Sequence, residues 1–130
     1  MDLKDYFDKT SGLGVLATAD SDGLVDIAVY ARPNLMEDGV VAFIMADRLS
    51  HKNLQTNPHA AYLFQAEGSG YEGIRLHLVK MSEEKNSEKI ESLRRRCPAD
   101  ASYQTDKDCY LVLFKVDRIR PLVGDRFESQ

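Results

Sequence analysis

This chain is predicted to be a single, mainly β domain, an antiparallel barrel with a few helices. Three observations predict it. Two Asp-Gly pairs, Asp22-Gly23 and Asp38-Gly39, sit between apolar runs as hairpin signals. Several short strands follow one another closely. The long helix that a doubly wound parallel fold needs after nearly every strand is missing.

The elements read in order. Leu3, Tyr6, Phe7 and Thr10 fall at helical spacing, so a short amphipathic helix ends before Gly12 and Gly14. Residues 14–19 form a first strand and 24–32 a second, ended by Pro33. Residues 40–45 form a third, so uniformly apolar that both its faces must be covered. These three read as a meander. A short polar helix over 50–56 stops at Asn57-Pro58. Strands follow at 60–66 and 74–81. Ser82 is placed to cap a helix over 82–96, whose narrow apolar stripe is Ile90, Leu93 and Cys97. Residues 98–108 read as a loop and 109–116 as the last strand.

Composition narrows the function classes. A chain of 130 residues fits one domain, and a large ligand must then sit at its surface or between subunits. A net charge of −4 argues against a general nucleic-acid binder. The basic run Arg94-Arg95-Arg96 lies near Glu88 and Glu91 and reads as a solvated helix end. No stretch approaches a membrane span, and no export signal is evident at the N-terminus. Cys97 and Cys109 are too far apart for a redox or zinc motif, so reduced thiols in the cytoplasm are expected. His51, His59 and His77 show no metal spacing, and no metal is expected; His51 reads as a solvent-facing first-turn residue. No nucleophile set can be assembled from linear spacing.

Gly68-Ser69-Gly70-Tyr71-Glu72-Gly73 matches G-x-G-x-x-G, but a dinucleotide loop must open a helix. Here Ile74, Leu76 and Leu78 alternate with Arg75 and His77, which is strand periodicity. The segment is read as a hairpin loop.

Phosphate chemistry is most plausible in the stretch from Asp47 to Pro58. It puts Arg48, Ser50 and Lys52 at a helix start, where free N–H groups, a hydroxyl and two cations can converge on a dianion. The alternative is that Ser50 caps the helix while Arg48 and Lys52 point into water.

The stretch "GVVAFIMADRLSHKNLQTNPHAAYLF", residues 39–64, resembles the FMN-binding split β-barrels related to pyridoxamine 5'-phosphate oxidase. The likeness lies in an apolar strand leading to a short helix with basic and hydroxyl residues, then Asn53-Leu54, the Asn57-Pro58 stop and another apolar strand. It extends from about residue 14 to 116. The resemblance implies an antiparallel, Greek-key-type split barrel that holds FMN between the subunits of a twofold homodimer. The apolar strands 40–45 and 109–116 are offered for that interface or for the core. A redox role follows, either as an FMN-dependent oxidoreductase or as a flavin carrier. Haem or another planar ligand on the same barrel is the alternative, and a barrel without cofactor is a third.

The implied cofactor residues are Val29, Tyr30, Ala31, Arg32, Met45, Arg48, Ser50, Lys52, Asn53 and Gln65. Backbone groups of 29–32 would meet the polar edge of the flavin. Arg32 would stabilise negative charge near N1 and O2 of reduced flavin, or lie on the surface. Tyr30 would touch the ring or pack at the barrel mouth, and Gln65 would bond a flavin carbonyl or point outward. Family members commonly carry lysine where this chain has Ser50, so the charge must come from Arg48 or Lys52. They also carry a C-terminal Trp signature when they oxidise pyridoxamine phosphate; this chain has no Trp, so that reaction is not expected.

Overall fold

The computed structural model describes residues 1–37, 39–68, 70–85, 87–96 and 109–124. Its elements are α1 (Leu3–Lys9), β1 (Gly12–Ala19), β2 (Val25–Val29), β3 (Asn34–Leu35), β4 (Val40–Ala46), α2 (Leu49–Thr56), β5 (His59–Ala66), β6 (Gly73–Glu84), α3 (Ser87–Arg96) and β7 (Cys109–Pro121). Ser69, Cys97 and the expected 98–108 loop lie outside the described residues, as do the side chains of Arg94-Arg95-Arg96.

Seven strands form one antiparallel sheet in the order β2-β1-β5-β6-β7-β4-β3. The first hairpin is built as the Asp-Gly signal requires. Gly23 adopts φ +83, and the Asp20 carboxylate accepts from the N–H groups of Asp22 and Leu24 at 2.9 and 3.0 Å. At the second hairpin Gly39 adopts φ +72. The glycine-rich segment is the β5–β6 connection, closed by the Ala66 N–H to the Glu72 carbonyl, and a strand follows it.

Two expectations need correction. The strands at 14–19, 24–32 and 40–45 do not form a meander. Among the described residues β2 pairs only with β1, while β4 sits between β7 and the two-residue β3. Strand β4 is apolar on both faces and takes an interior position. β2 alternates exposed Val25, Ile27 and Val29 with half-buried residues and stays at the sheet edge. The fifth strand also continues past Met81, and Ser82 lies within it rather than capping a helix. The thirteen-residue β7 supplies hydrogen-bonding partners as far as Glu83↔Val112 and Glu84↔Leu111, so sheet pairing overrides a local capping signal. Register shifts between His77 and Leu78 and between Lys80 and Ser82 bend this pair.

Inward residues of the strands and of α1 make one core, which includes Leu16, Phe43, Met45, Tyr62, Phe64 and Phe114. Phe7 of α1 packs edge-on against Phe64 at 5.2 Å. A smaller cluster of Ala42, Ile90, Leu93, Cys109 and Leu111 lies under α3. Strand β4 is thus covered on both faces, as its unbroken apolar run predicts.

Candidate functional site

The site is built on α2. The chain leaves β4 through Asp47 and Arg48, and Arg48 is the extended N-cap residue of α2, with no side-chain cap and no acidic residue in the first turn. Such a helix start presents free N–H groups and the positive end of the helix dipole. Arg48 and Lys52 are exposed beside it, one turn apart.

Ser50 does not cap this helix. It lies inside the first turn, is buried, and bonds the Tyr30 hydroxyl. Burial pushes the Tyr30 phenol up, and the Ser50 bond and the charge of Arg48 partly offset that. The Tyr30 ring packs edge-on against Phe43 at 5.9 Å, drawing the end of β2 toward β4. Asn53, also buried, donates to the Thr18 hydroxyl at 3.0 Å and anchors α2 to β1.

The expected cofactor residues therefore fall into separate places. Tyr30, Arg48, Ser50 and Lys52 come together at the α2 start, with Asn53 holding the helix in position. The Tyr30 N–H is bonded to the Gly14 carbonyl at 3.0 Å, and the Tyr62 hydroxyl donates to the Tyr30 and Ala31 carbonyls at 3.1 Å each. Arg32 sends its guanidinium to the Phe7 and Thr10 carbonyls at 2.7 and 3.2 Å, closing the C-terminal end of α1. Met45 is fully buried in the core. Val29 and Gln65 are exposed on the outer side of the sheet.

One group runs against expectation. His51 does not face solvent: it is 6% exposed and stacks on Tyr110, with ring centroids 4.0 Å apart. Its Nδ1 lies 3.1 Å from Asp47 Oδ1 and its Nε2 2.9 Å from Glu83 Oε2. Glu83 reaches it only because β6 runs beyond Met81. The i,i+4 spacing of Asp47 and His51 was a readable signal; the contact with Glu83, 32 residues on, was not. Desolvation alone would raise the Glu83 carboxyl, but hydrogen bonds from Gln55, Lys80 and His51, with the His51 charge, hold it at about 2. The carboxylates sit on opposite sides of the ring, and among the described residues no group of three or more His, Cys, Asp or Glu is placed to hold a metal. Between α2, Glu83 and Tyr110 opens a cleft of about 600 Å³ whose rim carries Arg48, Leu49 and Lys52.

No family model and no curated protein matches this chain. Solved structures do. An FMN-binding protein from Syntrophomonas wolfei superposes with TM-score 0.77 at 17% identity, over 92% of this chain and 83% of its own. A candidate pyridoxamine 5'-phosphate oxidase from Lactobacillus delbrueckii gives 0.66 at 11% identity, over 92% and 91%. The fold is the pyridoxamine 5'-phosphate oxidase-like split barrel. A haem-binding protein from Mycobacterium smegmatis shares this split barrel, with TM-score 0.63 at 19% identity over 95% of this chain and 54% of its own. Among the described residues, no helix of the split barrel is long and apolar enough to cross a membrane.

Proposed function

We propose that this split barrel is an FMN-binding flavoprotein with a redox role. The observation that carries the reading is the α2 start, an uncapped helix N-terminus without a first-turn acid, flanked by Arg48 and Lys52. The residues present suit a phosphate dianion. Arg48 and Lys52 would supply charge, the first-turn N–H groups would donate, and Asn53 would hold the helix in register through Thr18. Asp47, the nearest acid, has its carboxylate on His51 rather than on the helix start. Tyr30, beside Ser50, marks where the ring system would extend from the phosphate. When bound, FMN supplies hydride and single-electron transfer, so the chain need only bind, orient and shield it.

Titration with FMN and riboflavin tests this. Lys52→Ala with Arg48→Ala should weaken FMN by tenfold or more, on the order expected for losing charge-assisted bonds, and leave riboflavin nearly unchanged. Equal losses, or a protein that takes up neither flavin, would defeat the reading.

The second element of the proposal is a twofold dimer. The apolar strands β4 and β7 are consumed by the subunit core. A different surface is open, the outer face of β2, β1 and β5, where Val25, Ile27, Val29, Leu13 and Leu63 are all exposed. In the register Val29↔Val15↔Leu63 these residues adjoin one another, on a sheet whose edge strand β2 has no further neighbour among the described residues. Val25→Lys with Ile27→Lys should give a monomer by light scattering while the fold remains intact; an unchanged mass would remove this face from consideration.

Haem on the same barrel is the alternative, favoured by the haem-binding neighbour. Absorption spectra after adding each ligand separate the two.

A further inference from the structure

His51 is the most enclosed titratable group of the cleft, and its partners define its state. An ionised carboxylate only accepts hydrogen bonds, and a neutral imidazole donates from one nitrogen. Asp47 faces Nδ1 and Glu83 faces Nε2, so both contacts are made together only by the doubly protonated ring. Glu83 is held ionised by Lys80 Nζ at 2.6 Å and Gln55 Nε2 at 2.9 Å, both on Oε1. The Gln55 amide also lies 3.1 Å from His51 Nε2, but its protons go to Glu83 Oε1 and to the His51 carbonyl. Tyr110 covers one face of the imidazole, and the Lys85 ammonium lies 5.3 Å from the centre of the tyrosine ring. Within this group the charges of Asp47 and Glu83 offset those of His51 and Lys80. Arg48 and Lys52 add positive charge at the rim.

We propose that Asp47, His51 and Glu83 position the phosphate-gripping edge of α2 and set its charge through the proton on His51, coupling capture of a phosphorylated flavin to that proton. This rests on the phosphate seat proposed above. His51 lies between Ser50 and Lys52 and ties their turn of helix to the end of β6. Loss of the proton leaves a ring lone pair against a carboxylate oxygen at about 3 Å, a repulsive contact. Asp47, whose side chain is 62% exposed, is then free to turn toward solvent, and the seat's surroundings gain one negative charge. Both changes oppose a dianion, and neither touches riboflavin. His51 is a positioning residue here, not a catalytic one.

Two measurements decide it. Nitrogen-15 NMR of the histidine side chains in the ligand-free protein should show both His51 nitrogens protonated while the Asp47 and Glu83 contacts are made; a neutral tautomer in that state overturns the proposal. Calorimetric titrations with FMN, riboflavin and inorganic phosphate come next, across the pH interval in which the NMR shows the His51 proton lost, with the preference corrected for the phosphate's own ionisation. The preference for FMN over riboflavin should fall roughly tenfold across that range. In His51→Gln it should start lower and stay flat. A wild-type preference that does not move, or a slope that survives in His51→Gln, overturns the proposal. A protein that takes up neither flavin defeats only the flavin reading. Inorganic phosphate then serves as the probe: a pH slope abolished in His51→Gln supports the coupling, and no slope overturns it.

Discussion

The Asn53 side-chain amide donates to the Thr18 hydroxyl at 3.0 Å, joining two buried polar groups 35 residues apart. A buried donor that loses its partner incurs its full desolvation cost. Thr18→Val should therefore destabilise the protein by about 1–3 kcal/mol in urea unfolding. Pairing it with Asn53→Leu should recover part of the loss, because no orphaned donor remains. If Thr18→Val alone is neutral, the bond contributes nothing to holding α2 on β1.

Much of this architecture was legible locally. Asp22-Gly23 and Gly39 marked turns, the alternation of Ile74, Leu76 and Leu78 excluded a dinucleotide loop, and the unbroken apolar run of β4 foretold two covered faces. The α2 segment stood out too, through its cations and hydroxyl near a helix start, and the structure brings Arg48, Ser50 and Lys52 together there. What escaped was set by partners distant in sequence. Ser82 carries a capping signal that β7 overrides, and Glu83 reaches His51 only because of that override. Arg32 gave no sign that two carbonyls at the end of α1 would claim it.

Glu83 predicts a piece of the acid limb of stability. Its carboxyl titrates near 4.5 when unpaired and is held at about 2 in the folded protein. A depressed carboxyl contributes stability that is fully present above about pH 4.5 and lost as pH falls toward about 2. Unfolding free energies measured across that window should fall less steeply in Glu83→Gln than in wild type. Identical slopes would mean that Glu83 is not engaged as described.

Arg32 separates a structural role from an electronic one. Its guanidinium is shared between the Phe7 and Thr10 carbonyls, so Arg32→Ala should cost about 1–3 kcal/mol by releasing the end of α1. The midpoint potential of any bound flavin should stay where it is in wild type. A shifted potential with unchanged stability would return Arg32 to the flavin.

Gly14 and Tyr62 test how the end of β2 is held near the site. The Tyr62 hydroxyl bonds both the Tyr30 and the Ala31 carbonyl, and it can do so only because Gly14 has no side chain. A Cβ at residue 14 would overlap that hydroxyl and lie 2.5 Å from the Tyr30 carbonyl oxygen. Tyr62→Phe removes the bonds but leaves the space, and should cost about 1–2 kcal/mol. Gly14→Ala removes the bonds and also forces a fully buried ring to move, so it should cost more, by roughly the 1–3 kcal/mol of an overpacked core. In Gly14→Ala with Tyr62→Phe the contact with the hydroxyl is gone, while the ring carbon that carried it and the Tyr30 carbonyl oxygen, each 2.5 Å from the new methyl, still crowd it. The double variant should therefore fall between Tyr62→Phe and Gly14→Ala in thermal unfolding. Strictly additive losses would place the clash elsewhere and free Tyr30 from this pair.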